Sequence, residues 1–374
     1  MKHQINKYLK EACETGLADG VAVGMAAGVF KGKIDADAVS EVSYYGGLTR
    51  SDGYGEHINA STLFDLASLT KPLCTTLCLL HLISQGKIGL DDTLGSIFSD
   101  DLPTENRRIR IKQLLSHSSG LPAYVPYFKG FFPWFRIENK KILLSRIIKE
   151  PLVYAPDSEC RYSDLGFMLL GLIIEKRTGL KLNEYFDRHV AGPLGLNRDL
   201  FFAALGESSQ KKESAFAATE RCPWRNKILQ GEAHDENCWL MGGVAGHAGL
   251  FGTLRGVMGL CATILDVWNN RGKASFPCGH ELLSEALTTR HKNGSWCLGF
   301  DTPTPGHSSS GQYFSPQSVG HLGFTGTSFW IDPLHDIAIV LLTNRVHPSR
   351  INEKIRVFRP YFHDYIMGLL FTKG

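Results

Sequence analysis

Ser68 and Lys71 stand three residues apart in Leu66-Ala67-Ser68-Leu69-Thr70-Lys71-Pro72, a spacing that projects a hydroxyl and an amine from one face of a helix. Desolvation near other cations lowers a lysine's pKa, and an amine so prepared can draw the hydroxyl proton and leave a nucleophile for acyl transfer. In the first turn of a helix, free backbone N–H groups and the helix dipole also favour a developing oxyanion. Alone, the pattern describes a solvated helix face equally well. Tyr162-Ser163-Asp164, whose tyrosine lies 91 positions beyond Lys71, adds a phenol just ahead of an apolar run. A buried phenol beside a lysine can act as a tyrosinate base, while Ser163 or Asp164 can cap the following helix, and the two roles are compatible. Gly320-His321-Leu322-Gly323-Phe324-Thr325-Gly326-Thr327 is a glycine-rich entry to a strand. Its glycines let a substrate approach an edge backbone, and the Phe324 N–H offers a second oxyanion donor.

These pieces need elements to hold them. Residues 20–30 read as a strand rich in Val and Ala, and 38–45 can pair with it after a turn near 31–33, which predicts an opening hairpin. Apolar positions recur at helical spacing over 73–84, 109–115, 141–149 and 165–178, the last closed by Gly179, and again over 254–269, closed by Gly272. Strands return at 327–331 and 337–343, joined by the turn Asp332-Pro333-Leu334-His335, and a last helix spans about 351–370. An amphipathic helix over 1–17 opens the chain. The simplest arrangement is an α+β fold. An antiparallel sheet is built from both chain ends and flanked by helices (1–65 and 290–374), with a mainly helical region (66–289) inserted between them. The groove between the two is the default place for a site.

Ser-x-x-Lys, then Tyr-x-Asp, then His-x-Gly before a final strand and helix, in this order, resembles the serine β-lactamase and penicillin-binding protein superfamily. The likeness is to its class C group with the related esterases and D-alanine carboxypeptidases. It covers about 21–370 and extends to Phe64-Asp65-Leu66-Ala67-Ser68 and Leu114-Leu115-Ser116-His117-Ser118-Ser119-Gly120-Leu121-Pro122. The stretches 231–237 and 242–251 look like a subgroup acting on peptidoglycan peptides. The resemblance implies a β-lactamase/transpeptidase-like fold and a serine hydrolase that needs no cofactor. Ser68 would be acylated, Lys71 and Tyr162 would move protons, and the Ser68 and Phe324 amides would form the oxyanion hole. Asp164, His321, Gly323 and Phe324 would contact a small-molecule or peptide substrate. Two positions depart from the β-lactamase pattern: Asp164 replaces an Asn and removes an amide donor, and His321 replaces a Lys. The expectation is slow β-lactam turnover, with His321 becoming a carboxylate-binding cation only near its ordinary pKa of ~6.5. The substrate expected is a peptidoglycan-derived D-alanyl peptide; the alternatives are a small-ester esterase with weak β-lactamase activity and a penicillin-binding sensor without turnover. Ser68, Lys71 and Tyr162 together favour the enzyme.

Composition bounds the rest. With 374 residues the chain has room for two domains, or one with an insertion. Lys and Arg (40) nearly balance Asp and Glu (37), which excludes nucleic-acid binding through massed positive charge. The apolar runs 77–83 and 165–174 are shorter than the ~18–20 residues that cross a bilayer, so no membrane span is expected. Nine cysteines are scattered without a CxxC, and no apolar leader segment opens the chain; both point to reduced thiols and a cytoplasmic protein. His234, Asp235, Glu236 and His247 lack metal-ligand spacing and read as a loop lining the cleft, so no metal is expected. His117 reads as a turn residue. The aromatic segment Tyr124, Tyr127, Phe128, Phe131, Phe132, Trp134, Phe135 reads as a substrate wall, a partner surface or core packing.

Overall fold

Ile-Ala-Ile-Val-Leu-Leu-Thr at 337–343 is apolar at every position but the last, the pattern of a strand covered on both faces. A computed structural model of the chain describes residues 2–32, 40–98, 102–131, 136, 138–206, 213–271 and 276–371. In it this segment is a central strand of a five-stranded antiparallel sheet. The members are β1 (Gly24–Lys31), β2 (Ser40–Gly47), β8 (Val319–Leu322), β9 (Ser328–Asp332) and β10 (Ile337–Thr343), in the order β2-β1-β10-β9-β8. Both chain ends meet in it, with Met25 opposite Thr343 and Lys31 opposite Ile337.

Alternate residues of β10 face opposite layers. Ile339 and Leu341 join Met25 and Val29 under α1 (Lys2–Ala18) and α11 (Ile355–Phe371), through Leu9, Cys13 and Phe362. Val340 and Leu342 join Ala26 under α9 (Leu254–Trp268), through Val257, Met258 and Cys261. Gly28 lets α9 come this close, since a Cβ there would meet Met258 Sδ at 1.9 Å. The cover on this face therefore comes from the stretch read in the sequence as the insert.

The remaining helices are α2 (Leu77–Ser84), α3 (Leu94–Ile97), α4 (Ile111–Leu115), α5 (Asn139–Ile147), α6 (Asp164–Thr178), α7 (Leu182–Phe186), α8 (Glu236–Leu240) and α10 (His280–Thr288). Among them run a three-stranded sheet of β3 (Phe64–Asp65), β7 (Leu250–Gly252) and β4 (Leu200–Phe202), and a ribbon of β5 (Arg221–Cys222) and β6 (Lys227–Ile228). The expected helices and strands are present with ends displaced by a few residues. Gly179, at φ +72°, closes α6 as predicted. Gly272, Lys33 and the 34–39 part of the first hairpin lie outside the described residues.

Three local readings are corrected. Residues 73–84 do not form one α-helix: Ala67–Leu69 is a 3-10 turn and Lys71–Thr76 a π-helical turn, and only Leu77–Ser84 is α-helical. Pro72 cannot donate in this first turn, and Thr75 Oγ1 bonds across the molecule to the Gly246 carbonyl (2.7 Å), so the backbone widens. The last helix starts at Ile355 rather than 351, because Asn352 instead ties the chain back to the carbonyls of Gly20 and Val21. Val319–Leu322 is an edge strand that the sequence showed only as a glycine-rich approach. The stretch 67–84 is the one segment among the described residues long and apolar enough to cross a bilayer, and 78% of it is buried in the protein.

Candidate active site

Ser68 is held from both sides of its short turn. Immediately before it, Ala67 adopts a left-handed backbone, φ +47°, in which a residue with a Cβ is strained. The buried Asp65 carboxylate fixes this bend by accepting from the Ala67 N–H (2.8 Å) with one oxygen and the His234 N–H (2.7 Å) with the other. Thr70 Oγ1 donates to the Ala67 carbonyl (2.6 Å) and accepts from the Leu250 N–H (3.1 Å), pinning the turn to β7. Ser68 thus sits in a 3-10 turn ahead of the helix rather than in the helix's own first turn, which corrects the geometry read from the sequence.

Its hydroxyl lies between two proton-carrying groups. Lys71 Nζ donates to Ser68 Oγ at 3.0 Å and Tyr162 Oη donates to it at 2.8 Å. Lys71 is buried; its other partners are the His247 carbonyl (2.9 Å) and Asp164 Oδ1 (2.7 Å), at the first residue of α6. The His247 carbonyl can reach Lys71 because Gly246 lies backbone to backbone on Gly171 of α6. A Cβ on Gly246 would meet the Phe167 carbonyl at 2.1 Å and the Gly171 nitrogen at 2.8 Å.

Burial lowers the Lys71 pKa, and the Asp164 charge opposes that shift. The Tyr162 phenol is pushed well above its ordinary value by burial and by the Asp164 charge. The tyrosinate read from the sequence is therefore corrected. Tyr162 rests as a protonated phenol donating to Ser68, and Lys71 is the group moved toward its basic form.

Tyr162 stands in an aromatic nest. Its ring centroid is 4.7 Å from His117, 5.5 Å from Trp296 and 6.1 Å from His321. His117, itself at φ +56°, holds the turn and accepts the Ser163 N–H on Nδ1 (3.0 Å), just ahead of α6. His321 is buried, with Nδ1 on the Leu322 carbonyl (2.9 Å) and Nε2 without a partner. Burial and the neighbouring Lys71 push its pKa down to about 3. The expectation that His321 becomes a cation near pH 6.5 is corrected: the ring is neutral throughout the physiological range.

Ser68, Tyr162, Asp164, Gly323 and Phe324 line one cleft of about 520 Å³; Lys71 and His321 lie buried behind its wall. Gly323 brings the end of β8 against the serine's segment, where a Cβ would meet Thr327 Oγ1 at 2.0 Å and the Leu66 carbonyl at 2.8 Å. The turn 323–326 is closed by Gly323 N–H to Thr327 O (2.7 Å) and Gly326 N–H to Gly323 O (3.1 Å), which leaves the Phe324 N–H unused by the turn. The half-exposed Phe324 ring lies between His234 (5.5 Å) and the Arg345 guanidinium (4.6 Å). His234, Asp235, Glu236 and His247 also line the cleft, as read from the sequence. Asp235 Oδ1 accepts the Cys238 N–H (2.7 Å) and pairs with His247 Nε2 (2.9 Å). Among the described residues no group of three His, Cys, Asp or Glu side chains is placed to hold a metal. Tyr124 lines the cleft, Tyr127 is buried with its hydroxyl on Glu150 (2.8 Å), and Phe128 and Phe131 pack on the core; Phe132, Trp134 and Phe135 lie outside the described residues. Trp296, Arg345 and Arg359 carry no signal in the sequence that marks them as part of the site. Each is a lone residue with no spacing relation to the motifs.

A beta-lactamase family model matches residues 9–359. The chain belongs to the beta-lactamase family. Within that family it is similar to the "Putative D-alanyl-D-alanine carboxypeptidase" of Escherichia coli (strain K12), 35% identical over an alignment of 311 positions that covers 76% of this chain and 70% of the relative. A solved beta-lactamase/D-alanine carboxypeptidase from Pseudomonas syringae superposes with a TM-score of 0.74 at 16% identity, covering 99% of this chain and 100% of that one. EstCE1, a hydrolase with promiscuous acyltransferase activity, superposes at 0.72 and 21% identity over 96% and 99%. These two likenesses show the shared fold. The family membership makes the protein a serine hydrolase.

Proposed function

We propose that the protein hydrolyses acyl-D-alanyl peptides derived from peptidoglycan, in the cytoplasm, through an acyl-enzyme on Ser68. The observation that carries the mechanism is the hydroxyl of Ser68 held at 3.0 Å from Lys71 and 2.8 Å from Tyr162 beside the cleft. Lys71 takes the Ser68 proton as Oγ attacks the substrate carbonyl, and the oxyanion is held by the Ser68 and Phe324 N–H groups. Tyr162 gives its proton to the leaving amine and is reprotonated by the proton that Lys71 took from Ser68. Water then attacks the ester, a proton returns to Ser68, and the carboxylic acid leaves. The similarity to the E. coli protein supports the choice of substrate. Nine free thiols, eight of them buried, support a reducing compartment.

A second reading, hydrolysis of small esters, is favoured by Asp164 and His321. The carboxylate of Asp164 is engaged by Lys71 and has no donor for an acylamino carbonyl, and the neutral His321 offers no cation. Intact-mass measurement after a fluorophosphonate or a penicillin tests the common step, with an adduct expected on Ser68 and none in Ser68→Ala. Lys71→Ala and Tyr162→Phe are expected to slow acylation by ~100-fold or more. Turnover of an acyl-D-Ala-D-Ala peptide against p-nitrophenyl acetate chooses between the substrates, and cell fractionation tests the compartment.

A further inference from the structure

Four arginines line the cleft, and two of them are neutralised. Arg350 pairs with Glu220 and Glu236 at 2.6 Å each, and Arg356 with Glu353 at 2.9 Å. The other two, Arg345 and Arg359, are buried, and their hydrogen bonds among the described residues go to backbone carbonyls. Arg345 donates from Nε to the Phe324 carbonyl (2.8 Å) and from Nη1 to the carbonyls of Arg350 (3.0 Å) and Asn352 (2.6 Å). Arg359, on α11, donates from Nη2 to the carbonyls of Gly323 (2.6 Å) and Thr327 (2.9 Å), and its Nε has no partner. No carboxylate among the described residues pairs with it, and the like charge of Arg345 adds to the cost of its burial.

A buried guanidinium without a counter-ion is costly to hold, so its position asks for a reason. The Gly323 carbonyl that it binds belongs to the same peptide group as the Phe324 N–H. A charge-assisted bond to the oxygen of an amide draws electron density toward that oxygen and makes the N–H on the far side of the peptide a stronger donor. We propose that Arg359 is a positioning residue that polarises the Gly323–Phe324 peptide, so that the Phe324 N–H binds the oxyanion of the transition state more strongly than the substrate carbonyl. Arg359 touches neither substrate nor oxyanion and acts through the peptide it holds. The bond to the Thr327 carbonyl fixes the other end of the same turn, and Arg345 steadies the next peptide along. This inference rests on Ser68 being the acylated group.

The test uses the full chain with two esters, neutral p-nitrophenyl acetate and carboxylate-bearing mono-p-nitrophenyl succinate. Arg359→Met, uncharged and of similar length, is expected to lose ~10- to 100-fold in kcat on both esters alike, with KM within about twofold. Arg359→Lys keeps the charge, recovers part of the loss, and serves alone if the Met variant does not fold. The infrared carbonyl band of a ¹³C-labelled cinnamoyl-enzyme, trapped at low pH, should move to higher frequency in Arg359→Met and return toward the wild-type position in Arg359→Lys. Unchanged kcat and an unshifted band in a folded variant would overturn the proposal. So would a loss confined to the succinate ester, which would make Arg359 an anion-recognition residue. A wild-type protein that no ester acylates would instead refute the role of Ser68, a failure visible before any Arg359 variant is made.

Discussion

The Lys71–Asp164 ion pair decides how proton transfer from Ser68 responds to pH. Burial favours the neutral amine and the carboxylate 2.7 Å away favours the ammonium, so Asp164 raises the pKa that must be crossed before Lys71 can accept a proton. Removing that charge lets the amine lose its proton at lower pH. Asp164→Asn is expected to shift the acid limb of the kcat/KM profile to lower pH, and an unmoved limb would mean that another group is the base. His321 carries the opposite expectation. With its pKa pushed down to about 3 it changes charge below the working range, so the preference for a carboxylate-bearing over a neutral ester should be flat from pH 5.5 to 8. A preference that rises toward pH 6 in wild type and is lost in His321→Gln would restore the imidazolium. Both outcomes turn on what sequence spacing cannot carry. Ser-x-x-Lys and Tyr-x-Asp were legible because residue type and order bear the chemistry, whereas the sign of each pKa shift depends on burial, which residues from distant segments such as Trp296 and His117 complete around Tyr162 and His321.

The elements meet where side chains are missing. Gly171 on α6 and Gly246 in the loop before β7 touch through their backbones, and that contact aims the His247 carbonyl at Lys71. Gly246→Ala should cost ~1–3 kcal/mol in urea unfolding and slow acylation as well, because the loop must retreat from the Phe167 carbonyl. A variant as stable and active as wild type would show that the contact does not position the site. Helix α9 was readable from its one-sided apolar periodicity, and α6, buried on every side from Leu165 to Ile174, from the length of its apolar run and the Gly179 cap. Periodicity failed at 67–76, where the apolar rhythm continues but Pro72 and the cross-chain bonds of Thr70 and Thr75 select 3-10 and π turns instead. Edge strand β8 escaped because four residues including a glycine carry too little alternation to register.

At the scale of the whole molecule, the nine thiols form no scaffold. Eight are buried, and the half-buried Cys160 still has its thiol pushed up to about 11 by partial desolvation. Thiol titration at pH 8 should therefore count at most one slowly reacting group in the native protein and nine after unfolding in denaturant. Rapid reaction of several thiols would contradict the packing described around α2 and α9.

The central sheet also has a consequence in time. Met25 of β1 pairs with Thr343 of β10, 318 positions later, and the turn bearing Phe324 hangs on the same late strands. At a synthesis rate of about 5–20 residues per second, roughly 16–60 s separate the two strands' emergence. The first hairpin and the Ser68 segment are made early and wait, with the site's second wall still unmade. On the proposed mechanism a nascent chain therefore carries its serine long before the Phe324 amide can join it, and the growing protein stays without turnover until its last strands close the sheet.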